Sequence, residues 1–252
     1  MSFDVAATSY HRFMGRFSEP LADEFVRLGD IRAGHHVLDV GCGPGALTAR
    51  LAAIVGEDAA AAVDPSASFV TALHARLPGV DVRRAAAESL PFSNDLFDAV
   101  LAQLVVHFMT DPVAGLREMR RVAAPDAPVA ACVWDHEGGT GPLSAFWTAA
   151  HDVDPGAPDE SGLAGTRQGH LVELFSRAGF ADPEPSTLTV AASFATFEDW
   201  WEPFTLGVGP AGAYVAGLDH DTVTRLRTRC RELLPGPPFD VPATAWAVRA
   251  RA

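Results

Sequence analysis

The chain has 252 residues, 48% of them apolar and 20% charged, a balance that supports a buried core and argues against disorder. Nineteen basic and 32 acidic residues leave a net charge of −13, which sets the chain against phosphate backbones, so nucleic acid is not an expected partner. No apolar run approaches the roughly 18 residues that span a bilayer. The start, Met1-Ser2-Phe3-Asp4-Val5, lacks the basic and apolar stretches of a secretion signal, so the expected location is the cytoplasm, without a membrane span.

The elements are expected in three zones of a single domain over 1–252. Residues 1–33 are a polar, aromatic-bearing lead segment. Residues 34–134 alternate short β-type runs with helical patterns, which predicts a parallel sheet with crossover helices. In that zone His36–Val40 reads as a buried strand ending at a glycine cluster. Leu47, Leu51 and Ile54 then mark one apolar helix face. A small apolar strand over 59–63 ends at Asp64-Pro65, and a helix from Ser68 to Leu77 stops at Pro78-Gly79. Strands follow at 80–85 and 98–103, then a helix over 112–123 opened by Pro112, then a strand over 128–134.

Residues 135–252 are richer in Gly, Pro and Trp. Helices are expected near 168–178, around Trp200-Trp201 and over 220–233, with strands near 186–192 and 243–250. The two late strands are expected to complete the sheet, and residues 1–33, 136–170 and 196–240 to cover its ligand-binding edge. Arg225, Arg227, Arg229 and Arg231 alternate with acidic neighbours and read as a solvated helix face. Cys42, Cys132 and Cys230 are scattered and odd in number, pointing to neither a disulfide framework nor a zinc site.

The strongest chemical signal is Val37-Leu38-Asp39-Val40-Gly41-Cys42-Gly43-Pro44-Gly45. A buried strand runs into three alternating glycines, and a helix follows. Such a loop turns sharply, lets a ligand approach the backbone and aims helix N–H groups at it. Gly41-x-Gly43-x-x-Ala46 loosely fits a dinucleotide fingerprint. Asp39 argues for another ligand, because a carboxylate there repels a pyrophosphate and suits an ammonium group. S-adenosylmethionine (SAM) carries an ammonium group and a sulfonium. A tight turn without a ligand is the plainer alternative. Asp64, ending the second strand, can accept hydrogen bonds from both hydroxyls of a ribose, or cap the next helix.

The run 37–45, Asp64, the segment Ala86-Ala87-Glu88-Ser89-Leu90-Pro91-Phe92 and Phe97-Asp98 together resemble the class I SAM-dependent methyltransferases, nearest the small-molecule and quinone-biosynthesis branch. The resemblance covers about residues 34–134. It implies an α/β, Rossmann-like, doubly wound and mostly parallel seven-stranded sheet with helical cap insertions. By that resemblance Gly41, Cys42 and Gly43 would line the methionine part of the cofactor, and Asp64 would hold its ribose. Pro65 would pack on the adenine, Ala87 and Glu88 would flank it, and Gln103 would face the cofactor near its methyl group. Ala86 stands where relatives often carry Asp, so the adenine amino contact falls to Glu88 or to backbone. The lead run Tyr10–Ser18 resembles a segment that folds over the cofactor in such enzymes, with Arg16 pairing with its carboxylate and Tyr10 closing the pocket.

The implied activity is methyl transfer from SAM to a small-molecule acceptor. An NAD(P)-dependent oxidoreductase is a rival, opposed by Asp39 and by the absence of lysine, which rules out a Tyr-x-x-x-Lys pair; a non-catalytic SAM-binding regulator is another. Methyl transfer from a sulfonium requires alignment and a dry pocket, and a base only where the nucleophile must lose a proton. His107 is the candidate base, with a structural packing role as its alternative; His11, His136 and His151 come next. No histidine spacing marks a metal site. Phe146, Trp147, Phe194, Phe197, Trp200, Trp201 and Phe204 are expected to give either an apolar acceptor pocket or ordinary cap core.

Overall fold

The computed structural model describes residues 7–252; the opening pentapeptide lies outside them. The chain enters through α1 (Ala7–Tyr10), a π-helical turn over His11–Gly15, and α2 (Arg16–Leu28). There follow β1 (Val37–Val40), α3 (Ala46–Val55), β2 (Ala60–Asp64), α4 (Ala67–Arg76), β3 (Asp81–Arg84), β4 (Ala99–Gln103), α5 (Pro112–Val122) and β5 (Pro128–Trp134). The last third supplies α6 (Ser144–Val153), α7 (His170–Ala178), β6 (Glu184–Phe194), α8 (Phe197–Trp201), α9 (Gly209–Ala216), α10 (His220–Leu233) and β7 (Phe239–Arg251).

These strands form one seven-stranded sheet in the order β3-β2-β1-β4-β5-β7-β6. The first five run parallel, and β7 is antiparallel to both of its neighbours. Strands β1, β2, β4 and β5 are buried along their whole length, as parallel strands covered on both faces must be. Edge strand β6 alternates partly buried with exposed residues over most of its length.

Side chains alternate between the two faces, as the two-residue strand period requires. Val37, Leu101, Ala130, Cys132 and Trp134 join one core with Phe25, Leu47, Leu51 and Phe146. Leu38, Val40, Val100, Ala102 and Val129 join the other with Leu116, Met119 and Phe175. Strand order reverses between β1 and β4, which places the ligand crevice of such a sheet at their carboxyl ends.

Local sequence explains the helix ends. Asp111 caps α5 by accepting from the Ala114 N–H at 3.0 Å, with Pro112 as the first helical residue. Gly179, at φ 96°, ends α7. Helix α4 begins at Ala67, with Ser66 as its cap. The apolar face expected of α3 is buried at Leu47 and Leu51, whereas Ile54 is exposed, because the last turn of α3 runs beyond the core. The lead segment is helical and carries Phe17, Leu21 and Phe25 into the core. Helices α6 and α9 lie in stretches whose Gly and Pro content obscured them.

In the cap, Phe146 stacks on Phe204 at 4.5 Å between ring centroids, and Trp200 packs beside Phe204 at 4.8 Å. The arginine row of α10 is a surface face. Arg227 and Arg231 both bind Glu198, and Arg229 bridges Asp152 and Glu232.

Candidate active site

A cavity of about 740 Å³ opens at the carboxyl ends of β1, β2 and β4, within the range of cofactor and drug-sized sites. Tyr10, Asp39, Gly41, Cys42, Gly43, Asp64, Pro65, Ala87, Glu88, Gln103 and His107 all line it.

The three loop glycines do different work. A Cβ on Gly41 would lie 2.3 Å from the Val105 side chain, and one on Gly45 would lie 2.4 Å from Leu73. Gly41 and Gly45 therefore serve packing. Gly43, at φ +52°, has nothing within 4 Å of its Cβ position and lines the cavity. It alone leaves the open space over the loop.

Asp39 is 1% exposed. Its Oδ2 accepts from the Thr48 hydroxyl at 2.6 Å, and its Oδ1 has no hydrogen-bond partner among the described residues. Burial, opposed by the Thr48 bond and aided by nearby Asp64, pushes its carboxyl up to about 7. Asp64 accepts from the Gly43 N–H at 2.9 Å and the Ser66 N–H at 2.8 Å. Burial raises its pKa against these two bonds. Tyr10 closes one side with its ring edge-on to Phe69, centroids 5.4 Å apart. Its hydroxyl pKa is raised by burial and by Asp64.

The 86–92 segment is tied down from α5. Glu118 accepts from the Leu90 N–H, while Arg121 donates to the Leu90 and Phe92 carbonyls at 3.0 and 2.9 Å. Glu88 Oε1 accepts from the Thr110 and Asp111 N–H groups, so this side chain also orders the loop after β4. Gln103 donates to the Ser18 carbonyl at 2.9 Å, and its buried Oε1 has no partner among the described residues.

Arg16 departs from the expectation. Its guanidinium binds Asp199 through both terminal nitrogens and lies over the Phe194 ring, 4.9 Å from the centroid. It does not line the cavity. Asp199 competes successfully for it because the helix carrying Arg16 packs across β6, next to α8.

His107 is 6% exposed and lines both the large cavity and a second void of about 30 Å³. Burial, aided by His136, holds its pKa well below the ordinary value, so the ring is neutral. The small void is bounded by Phe13, Phe108, Trp134, His136 and Glu160, among others. The seven cap aromatics expected as pocket candidates line neither space; they are consumed in packing the cap. His11 is exposed, and His151 faces Asp159; neither lines either space.

Phe69, Arg84 and Leu104 are lining residues that sequence reading missed. Leu104 carried no sequence signal at all: it adopts φ +60° directly after β4, a strained conformation for a branched side chain that marks functional turns. It forms part of the wall shared by the two spaces.

Residues 38–131 match the model of a family described as a methyltransferase domain. Over those residues the chain is similar to methyltransferase domains. A ubiquinone biosynthesis O-methyltransferase of Cereibacter sphaeroides is 40% identical over 119 residues, covering 43% of this chain and 46% of that protein. The chain thus spans under half the length of the curated relatives it matches. Among solved structures, this fold recurs in the YcgJ protein of Bacillus subtilis, with TM-score 0.60, 18% identity and coverage of 92% and 97% of the two chains. A Haemonchus contortus phosphoethanolamine N-methyltransferase, solved with phosphomonomethylethanolamine and S-adenosylhomocysteine, gives TM-score 0.60 and 16% identity, covering 97% of this chain and 57% of that one. No helix among the described residues is long and apolar enough to cross a membrane.

The site passes a chemical test for SAM. The unpartnered Oδ1 of Asp39 suits an ammonium, and the open space over Gly43 accommodates a ligand against the backbone. Asp64 retains acceptor capacity on both oxygens for a diol.

Proposed function

We propose that this chain transfers the methyl group of SAM to a small-molecule acceptor. The observation that carries this reading is the buried, half-satisfied Asp39 carboxylate at the mouth of β1, facing a cavity that Asp64 bounds on the next strand. Asp39 would hold the cofactor's ammonium, Asp64 its ribose, and Pro65, Ala87 and Glu88 the adenine. Tyr10 and Gln103 would enclose the sulfonium end. With Arg16 engaged by Asp199, the cofactor carboxylate would rely on backbone N–H groups of the glycine loop and the first turn of α3.

The cofactor supplies an activated methyl group on a neutral leaving group. The chain's contribution is alignment and exclusion of water. Tyr10 and Gln103 would hold the sulfonium end in line, offering the methyl group to an acceptor lone pair, with His107 beside it. His107, neutral and bordering both spaces, is the side chain positioned to take a proton where the acceptor must lose one. The acceptor is assigned to the side of the small void, among Phe13, Phe108 and Trp134. Because that void is only about 30 Å³, acceptor entry requires Tyr10–Met14 or the start of α9 at 208–210 to move.

An acidic chain with its cavity behind aromatic walls favours neutral or cationic metabolites over nucleic acid. Calorimetry with S-adenosylhomocysteine and NAD tests the cofactor; binding of NAD alone overturns the reading. Labelled methyl transfer from SAM into a metabolite extract tests the activity, and cofactor binding without any labelled product would favour a regulator.

A further inference from the structure

His107, His136 and Glu160 come from three separate connections: the turn after β4, the turn after β5 and the loop between α6 and α7. One ligand-capable atom from each lies within 4.8 Å of the others. We propose that these three side chains form a site for a divalent cation such as zinc, at the wall between the cofactor cavity and the acceptor side, whose open position takes a hydroxyl oxygen of the acceptor. The role assigned to that open position rests on the methyltransferase reading; the cation site itself does not.

The spacing favours an ion over a direct contact. His136 Nε2 and Glu160 Oε1 are 4.0 Å apart, beyond the roughly 2.7–3.2 Å of a hydrogen bond. Zinc binds imidazole nitrogen and carboxylate oxygen at about 2.0–2.2 Å, so two ligands on a tetrahedral ion stand about 3.3–3.6 Å apart, and a small inward shift of these side chains would close on one. The void these residues border, about 30 Å³, has the size of one water or ion.

Electrostatics point the same way. The Glu160 and His136 side chains are each 4% exposed, and no arginine borders the void. An uncompensated carboxylate at such a place is costly. Among the described residues its one side-chain hydrogen bond comes from Trp147 Nε1 to Oε2 at 3.1 Å, which orients Oε1 as an outer-shell partner does. Asp135, 3% exposed, is fully engaged by Gly138, Thr140 and Trp246, and adds negative field beside His136.

Two imidazoles and one carboxylate leave a position open on a tetrahedral ion, the arrangement of catalytic rather than structural zinc sites. An acceptor hydroxyl bound there loses its proton to solvent more easily and presents an oxygen lone pair to the methyl carbon. His107 would then act through the cation instead of as a base, and the acceptor class becomes hydroxylated, phenols included.

The test is a titration of the untagged, chelator-treated full chain with cobalt(II), read by its visible bands, and with zinc by calorimetry. One equivalent is expected, with zinc displacing cobalt. Glu160→Gln preserves size and can still accept from Trp147, and His136→Ala removes a ligand. Each should weaken zinc by at least about 100-fold, the upper end of what outer-shell changes cause, while S-adenosylhomocysteine binding stays unchanged. Trp147→Phe should weaken zinc by about tenfold. Absence of the cobalt bands, or equal zinc affinity in the wild type and both ligand variants, overturns the site. Zinc binding without S-adenosylhomocysteine binding upholds the site and overturns the methyltransferase reading instead.

Discussion

The Asp64 carboxylate accepts the Gly43 N–H at 2.9 Å and the Ser66 N–H at 2.8 Å, so the residue proposed to hold a ribose also fastens the glycine loop to the end of β2. Asp64→Ala should therefore act twice. Cofactor affinity should fall by about 1–3 kcal/mol, and the free protein should lose a similar amount of stability, because two N–H groups lose their acceptor. Calorimetry and urea unfolding measure the two effects separately. A variant with unchanged affinity would remove Asp64 from the ribose role.

Gly43 and Gly41 should respond differently to a side chain. Gly43→Val points into the open cavity and should abolish S-adenosylhomocysteine binding, at a backbone cost of about 1–2 kcal/mol for a β-branched residue at positive φ. Gly41→Ala drives a methyl into Val105 and should lower stability by about 1–3 kcal/mol. Thermal unfolding paired with ligand titration separates blockage from destabilisation; cofactor binding by a folded Gly43→Val protein would refute the assigned space.

The Asp39 carboxyl, pushed up to about 7 from 3.8 by burial, holds a proton in the folded chain that the unfolded chain has shed. Between about pH 4 and 7 the folded state thus binds more protons, and the ligand-free protein loses stability as pH rises through that window. The contribution is about 4 kcal/mol at 1.36 kcal/mol per unit. Asp39→Asn should flatten this slope. An ammonium partner requires the ionised form, so wild-type affinity should increase from pH 5 to 8 with proton release. Calorimetry in two buffers of different ionisation enthalpy detects that proton, and a pH-independent affinity would contradict the pairing.

Arg16→Ala should leave cofactor affinity where it was. The side chain is engaged by Asp199, and it holds that carboxyl below its ordinary range. Loss of this partly exposed bidentate pair should cost about 1 kcal/mol or less. Because Asp199 is depressed in the folded protein, this contribution is present above its unfolded pKa and fades as pH falls through the folded value. A large loss of affinity would return Arg16 to the cofactor site.

The parallel core was legible because its strands are buried on both faces and carry short unbroken apolar runs, such as Ala60–Val63 and Pro128–Trp134, ended by aspartate or proline. The β5 strand and helix α10 fall where the pattern places them. Helices α6 and α9 were not legible. Their stability comes from packing Phe146, Trp147 and Val215 into an aromatic cap, which no local pattern announces.

What the chain determined by itself was the strand-loop-helix frame, because periodicity, chain reversal at glycine and carboxylates at strand ends are local properties. Only the tertiary structure decided which glycine faces open space, which partner takes Arg16, and that His107, His136 and Glu160 meet. Those outcomes depend on distances between segments far apart in sequence, and such distances are set when the cap closes over the sheet.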